Sequence, residues 1–428
     1  MLNKSVIIRT TIIISLATIF QWYNFFIAAV AASTVWPFVF FPESSSGFIL
    51  SIVAYAVTFV TRPIGGFFLG LIGDIFGRKN SNTFALFLMA LGSFGIALTP
   101  SYATIEMLAF TLLIIFRTLQ GVAIGGQWGG AVALVAELTA TSKHKTFWTS
   151  LVQAALPLGM ALAIFSTILL LKISLTFFIS IGWRFLFILG GIFVILNSII
   201  IRNVSESPLL LKKKRNQNIN LFQNISYLAQ YRKELLKLVF AEVYEVGTVS
   251  ILIFPFSVSF LSILHIDVSN ALMSVGIATL FASITIVLIG ILASRMGKKR
   301  LFLLLSTGLS AIMLSYPYPI LLSSKSFVLI IIAQTLLFSL LEIGYAVQGS
   351  FFAEHFPTEF RNTGINLSYH FSAAIAGSFN IIAISMLVPF LHSFINALIY
   401  ITIIAMLLCI TSFFTILVLL KETKDLSP

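Results

Sequence analysis

Long apolar runs, separated by short polar and basic clusters, dominate the chain. Runs of about twenty residues or more lie at about 8–32, 47–70, 81–100, 104–135, 147–171, 181–201, 236–262, 270–293, 301–322, 326–350, 364–389 and 393–420. Each can cross roughly 30 Å of hydrocarbon as a helix. Within lipid the backbone must satisfy its own hydrogen bonds, which leaves helices or a closed barrel. Barrel strands would appear as alternating segments of about ten residues. Phe327 to Leu341 and Ala397 to Leu420 are instead continuously apolar. The pattern predicts an all-α integral membrane protein of twelve transmembrane helices. The first run, from about Val6 to Ser33, is too long for a signal-peptide core and is read as a retained span.

Composition agrees. Of 428 residues, 59% are hydrophobic and 9% charged, with mean hydropathy +1.05. A soluble domain carries about 45–50% apolar and roughly 25% charged residues, so soluble, fibrous, disulfide-stapled and disordered classes are excluded. The net charge of +12 would suggest nucleic acid in a soluble protein. Here it reads as the positive-inside signal. With the N-terminus in the cytoplasm, 21 of 26 Lys and Arg fall on that side. Three lie outside (Lys172, Arg184, Lys325) and two, Arg62 and Arg117, within spans. Both termini are expected in the cytoplasm, in a plasma or inner membrane, with the lipid bilayer and no nucleic acid as partner. The single cysteine, Cys409, cannot form an intrachain disulfide.

One long polar segment, 203–235, separates residues 1–202 from 236–428 and holds Lys212-Lys213-Lys214-Arg215. That run is an orientation signal or a site for anionic headgroups. The flanking parts repeat. Gly70-Leu71-Ile72-Gly73-Asp74-Ile75-Phe76-Gly77-Arg78-Lys79 follows the second span, and Gly290 to Lys299 follows the eighth, 220 positions on. Glu137 and Glu354 close the fourth and tenth spans, 217 positions apart, each with bases behind it. Two pseudo-symmetric six-helix bundles with a midplane site between them are expected.

The loop Gly-x-x-Gly-Asp-x-x-Gly-Arg-Lys resembles the signature of the major facilitator superfamily. By that resemblance Asp74, Arg78, Gly70, Gly73, Gly77 and Glu137 are gating residues, with Arg295, Glu354 and Arg361 as second-half counterparts. The second copy keeps Arg295 but has Ser294 where the family usually has aspartate. Arg62-Pro63-Ile64-Gly65-Gly66, Arg117-Thr118-Leu119-Gln120-Gly121, Gly125-Gly126-Gln127-Trp128-Gly129-Gly130, Glu206-Ser207-Pro208 and Arg361-Asn362-Thr363-Gly364 with Tyr369 resemble the metabolite:proton symporter branch. That branch carries carboxylates and compatible solutes such as proline and betaine. Gln21, Asn24 and Gln127 stand where it normally has acids, which removes a titrating proton from each position.

Charges inside the membrane cost about 2.5–3.5 kcal/mol each and call for a role. Arg117 and Asn24 lie near mid-membrane, while Glu242, Glu245 and Glu342 are second-half carboxylates without a base beside them. Glu242 and Glu245 share a helix face. The expected substrate-binding residues are Arg117, Asn24, Gln21, Tyr23, Gln127 and Tyr369. The expected proton-coupling residues are Glu245, Glu242 and Glu342, with Arg117 neutralised alternately by substrate and by Glu245. Static burial of these charges is the rival account. No zinc-protease, nucleophile-elbow or phosphate-loop motif occurs, so neither an enzyme nor a cofactor is expected. The reading is a monomeric secondary transporter of a small polar metabolite, with proton symport. A proton-independent facilitator, an exporter and a non-transporting sensor are the alternatives.

Overall fold

The computed structural model describes residues 4–41, 47–216, 221–250, 252, 261, 266–324, 326–387 and 394–423. Lys325, Lys424, His265 and His392 lie outside the described residues. Long helices fall in order on the twelve predicted runs: α1 Lys4–Thr34, α2 Gly47–Phe76, α3 Arg78–Leu98, α4 Met107–Leu138, α5 Lys145–Ile173, α6 Leu175–Asn203, α7 Leu221–Thr248, α8 Val268–Met296, α9 Lys299–Ser315, α10 Phe327–Ala353, α11 Arg361–Leu387 and α12 Phe394–Leu419. Among the described residues nine are long and apolar enough to cross a membrane, or ten if α9 and Pro317–Ser323, bent by 50°, make one span. α7 and α11 fall short. The described part of α7 begins in the polar segment, and α11 carries Asn362, Asn366, His370 and several hydroxyls.

The chain is apolar on its outside. Phe68, Phe87, Leu169, Leu288 and Phe414 are each more than half exposed, while Arg62, Arg117, Glu242, Glu245 and Glu342 are buried. A helix in lipid has no hydrophobic drive to pair with its neighbour, so close packing through small residues does that work. At Gly125 of α4 a Cβ would come within 2.0 Å of the Arg62 carbonyl on α2.

Packing repeats six helices on. α2 packs on α4, α3 on α4 and α6, and α1 on α5 and α6. In the second half α8 packs on α10, α9 on α10 and α12, and α7 on α11 and α12. Between the halves α2 packs along α11, and α8 along α5, which is the same pairing with the halves exchanged. We call the end carrying Gly77, Glu137 and Gly297 the basic end.

The polar segment 203–235 is largely helical. Pro208–Asn216 forms one helix, and α7 starts at Leu221, fifteen residues before the predicted span. Tyr227 and Tyr231 hold this extension down by packing their rings on Phe360, with centroids 6.0 and 6.2 Å away. His355, just past the end of α10, is mostly buried. Its Nδ1 lies 2.8 Å from the Phe351 carbonyl and its Nε2 3.4 Å from Glu234, and burial pushes its imidazole below the ordinary value.

Candidate functional site

At the basic end two carboxylates join the halves. Glu137 of α4 lies 3.1 Å from Arg78 of its own half and 2.8 Å from Arg361 of the other. Arg78 also pairs with Asp74 and donates to the Thr358 carbonyl at 2.6 Å. Asp74 accepts from the backbone N–H groups of Asn362 (3.1 Å) and Thr363 (2.9 Å) and from the Thr363 hydroxyl (2.6 Å). A carboxylate on the free N–H groups of a helix start is favoured by both hydrogen bonding and the helix dipole. The approach needs small residues: a Cβ at Gly70 would meet Thr363 Cα at 2.8 Å, and one at Gly73 would meet Asn362.

The second copy has the same layout with weaker chemistry. Glu354 of α10 pairs with Lys299 of its own half, at 2.6 Å, and with Lys145 of the other. At Asp74's counterpart the Ser294 hydroxyl accepts one N–H, that of Phe147, at 2.8 Å. Arg295 is exposed, and the base beside Glu354 is Lys299 rather than Arg295, because the turn at Gly297 (φ +67°) carries the chain past it.

Each half has a further cap that sequence reasoning missed. Glu206, after α6, accepts from the backbone N–H of Lys79 at the start of α3, at 3.1 Å. Glu422, after α12, accepts from the N–H groups of Lys299 (2.9 Å) and Arg300 (3.1 Å) at the start of α9. Gly77, with φ +124°, makes the turn that brings α3 to Glu206. An acid following the sixth and the twelfth run, 216 positions apart, was the available signal.

Above the charged layer, the side-chain amide of Asn366 bonds to the backbone of α4. It accepts from Gly129 N–H at 2.8 Å and donates to the Gly126 carbonyl at 3.3 Å. Above that, Trp128 of α4 stacks on Tyr369 of α11, with centroids 4.2 Å apart and planes tilted 23°. Its indole donates to Gln153 at 2.9 Å, and Gln153 donates to the Tyr345 carbonyl of α10 at 3.0 Å. At 1.5 Å per residue from the ends of their helices, these four residues lie about 12–15 Å from the basic end.

A small cavity lies beyond this layer, between the halves. It gives a water molecule's centre about 20 Å3, the room of one or two waters. Arg62 is its cation and Glu245 its carboxylate. Trp22, Phe25, Phe26, Tyr55, Phe59 and Tyr369 are its aromatic walls. The Arg62 guanidinium rests on the faces of Phe25 and Phe59, 4.4 Å from each centroid, and 5.4 Å from that of Trp22. Its Nε and Nη2 have no hydrogen-bond partner, nor has Glu245 Oε2. Glu242, three residues before Glu245 and on the same helix face, is buried with its Oε1 unpartnered. Glu342 is buried near them with neither oxygen hydrogen-bonded.

Of the expected substrate residues, the cavity takes Tyr369 alone. Arg117 does not meet Glu245, because α4 turns it toward α2 and α3. There it donates to Gln120 Oε1 (2.6 Å), Thr58 Oγ1 (3.0 Å) and the Tyr55 carbonyl (3.1 Å). Gln120 donates to Ser93 at 2.9 Å, and Ser93 to Asn24 at 2.6 Å, so Asn24 ends the same chain, which carries the Arg117 cation and no carboxylate. Tyr23 donates to the Leu186 carbonyl at 3.3 Å, and Gln127 to Thr18 at 2.9 Å, both within the first half. Gln21 is buried with both amide atoms unpartnered. Arg62, the other intramembrane base in the sequence, is the cation that depth alone did not single out.

Similarity to known proteins agrees with this architecture. The chain is 29% identical over 372 residues to the inner membrane metabolite transport protein YhjE of Escherichia coli, covering 85% of this chain and 84% of that one. It is 28% identical over 394 residues to the shikimate transporter of the same organism, covering 89% and 88%. A putative proline/betaine transporter of Staphylococcus aureus is 26% identical over 376 residues, covering 86% and 79%. The fold matches the proton:xylose symporter XylE with a TM-score of 0.78 over 99% of this chain and 98% of that one, at 16% identity. The family model of the Major Facilitator Superfamily matches residues 12–379, across both halves and every layer of the seam between them, and the chain belongs to that superfamily.

Proposed function

We infer that this protein is a secondary transporter that moves a small polar metabolite by alternating access. The metabolite is a carboxylate or a compatible solute, as in the names of the relatives. The observation that carries the reading is the cavity between the halves, which holds one buried cation and one buried anion with unpartnered polar atoms. Buried, unpaired polar groups are costly, and a ligand that pairs them relieves that cost. Residues 1–202 and 236–428 are the two moving bundles, and 203–235 tethers them. Asp74, Arg78, Glu137, Arg361, Glu354 and the glycines at 70, 73 and 77 form the inner gate.

The protein acts as a monomer in an inner membrane with both termini cytoplasmic, as the excess of bases at the basic end supports. Protons enter through the Glu242–Glu245 pair, with Glu342 beside it. Two carboxyl groups so close in a low dielectric share a proton rather than both ionising. Gln21, Asn24 and Gln127 take no part in that step. A specific observation favours a second reading, a proton-independent facilitator: Asn24 and Gln127 each hydrogen-bond to a hydroxyl of their own half, Ser93 and Thr18, and neither amide titrates.

The test is uptake of labelled carboxylates and betaine-like solutes in proteoliposomes, with and without an inward proton gradient. Accumulation above equilibrium only with the gradient is expected, and Glu245→Gln should abolish it. If that variant leaves gradient-driven uptake and its pH dependence intact, the proton role falls. Equilibration that ignores the gradient selects the facilitator.

A further inference from the structure

We infer that the short helix Pro208–Asn216, after α6, docks on anionic phospholipid headgroups, with Lys212 and Arg215 as its bases and Leu211 as its apolar contact. Docking at this helix is separate from the transport reading, and neither depends on the other. The helix is held by one side. Ser207 caps it by accepting from the Leu210 N–H at 3.2 Å, Leu210 is fully buried, and Lys213 pairs with Glu359 at 2.9 Å. At 3.6 residues per turn, Leu211, Lys212 and Arg215 share the other side, and all three are exposed.

That outer side carries bases without acids. Among the described residues neither Lys212 nor Arg215 forms an ion pair. Glu206 is taken up by the backbone N–H groups of Lys79 (3.1 Å) and Ser207 (2.8 Å), and Glu359 by Lys213. Lys79 and the exposed Arg202 add positive charge beside the helix, joined by a bond from the Lys79 ammonium to the Arg202 carbonyl at 3.2 Å. The helix also sits at the right height. Leu196, Ile199 and Ile200 near the end of α6 are exposed apolar residues of the lipid-facing surface, and Pro208 follows eight residues after Ile200. The helix therefore lies where acyl chains give way to headgroups. An exposed leucine flanked by lysine and arginine at that level fits negative charge laid over hydrocarbon.

The experiment uses the full chain with Leu211→Cys in a Cys409→Ser background, labelled with an environment-sensitive fluorophore. The protein is held in nanodiscs of phosphatidylcholine alone or with about 30% phosphatidylglycerol, a composition that supplies anionic headgroups. Emission should rise about twofold and shift to the blue in the anionic discs, and about 0.5 M salt should reverse the rise. Lys212→Gln with Arg215→Gln should remove most of it. Lys298→Gln with Lys421→Gln, two exposed bases at the same end of the other half, should leave it in place. All variants are checked for monodispersity in detergent, and the salt arm needs no charge variant. Equal emission in the two discs, a rise that salt does not reverse, or a rise that survives Lys212→Gln with Arg215→Gln overturns the docking. If soluble heparin raises emission in phosphatidylcholine discs as much as phosphatidylglycerol does, the face takes a soluble polyanion and the lipid assignment is overturned.

Discussion

The two copies of the latch share a layout and differ in strength. On the α2–α11 side Asp74 accepts three hydrogen bonds from the start of α11 and pairs with Arg78. On the α8–α5 side Ser294 accepts one bond from the start of α5. Hydrogen bonds to a charged group contribute about 1.5–3 kcal/mol and neutral ones about 0.5–1.5, so the seam is unequal across its pseudo-twofold axis. The carboxylates above repeat the inequality. Glu137 joins two arginines, and Glu354 joins two lysines and the Thr423 hydroxyl. Arginine stays charged when buried, whereas lysine has a flexible stem and can lose its proton. A duplicated scaffold therefore keeps one rigid seam and one compliant seam.

The hardest blow to this contrast is the pair Glu137→Gln and Glu354→Gln. Removing Glu137 leaves buried Arg361 without a carboxylate and Arg78 with Asp74 alone, a loss of about 3–5 kcal/mol, and the melting temperature should fall clearly further than for Glu354→Gln. Equal shifts in a thermal-unfolding scan would erase the distinction between the seams. Next comes Asp74→Asn. It should speed hydrogen exchange at the Asn362 and Thr363 amides by roughly thirtyfold, which corresponds to about 2 kcal/mol of local opening. Exchange unchanged at those amides would mean that the helix start is held without the charge.

Trp128→Leu tests the aromatic layer that both seams share. It should raise access of a membrane-impermeant thiol reagent from the basic end to a cysteine at Ser250, in a Cys409→Ser background, by severalfold. No change in labelling would leave the stack as packing alone. Smallest is Ser294→Ala, which removes one neutral bond and should speed exchange at the Phe147 amide by less than about tenfold. The sharper companion is Ser294→Asp, which should slow it by making the two latches alike. If Ser294→Ala matches Asp74→Asn in size, the seams are equal after all.

Sequence carried the helical runs, the repeat and the motif that joins the halves because each is written along one dimension. Hydropathy gives depth, and the motif at Gly70 and its echo at Gly290 give the offset at which packing does repeat. The cavity was less legible because depth does not fix rotation about a helix axis. Arg117 and Arg62 are both buried intramembrane bases, yet α4 turns the first into a hydrogen-bond chain with Gln120, Ser93 and Asn24, while α2 presents the second to Glu245's cavity. Glu245 was found because a carboxylate inside a span is costly and calls for a role. Tyr244, one position before it, faces Ser306 instead, at 3.2 Å. Trp128 was visible only as part of a glycine-rich motif, since nothing in sequence says which ring it stacks on.

The layered contact proposed here as a gate has consequences for the membrane it sits in. From the basic end inward it is built of ion pairs, then amide-to-backbone hydrogen bonds, then stacked rings, over about 12–15 Å of helix rise. A membrane that stores energy as a voltage is discharged by any continuous file of water, because each charge that slips across gives up about 2.3 kcal/mol per 100 mV. A change that breaks an ion pair leaves the amide bonds and the stacked rings in place, so no single disturbance breaches all of them. The insulation of the membrane thus rests on chemical variety rather than on any one tight contact.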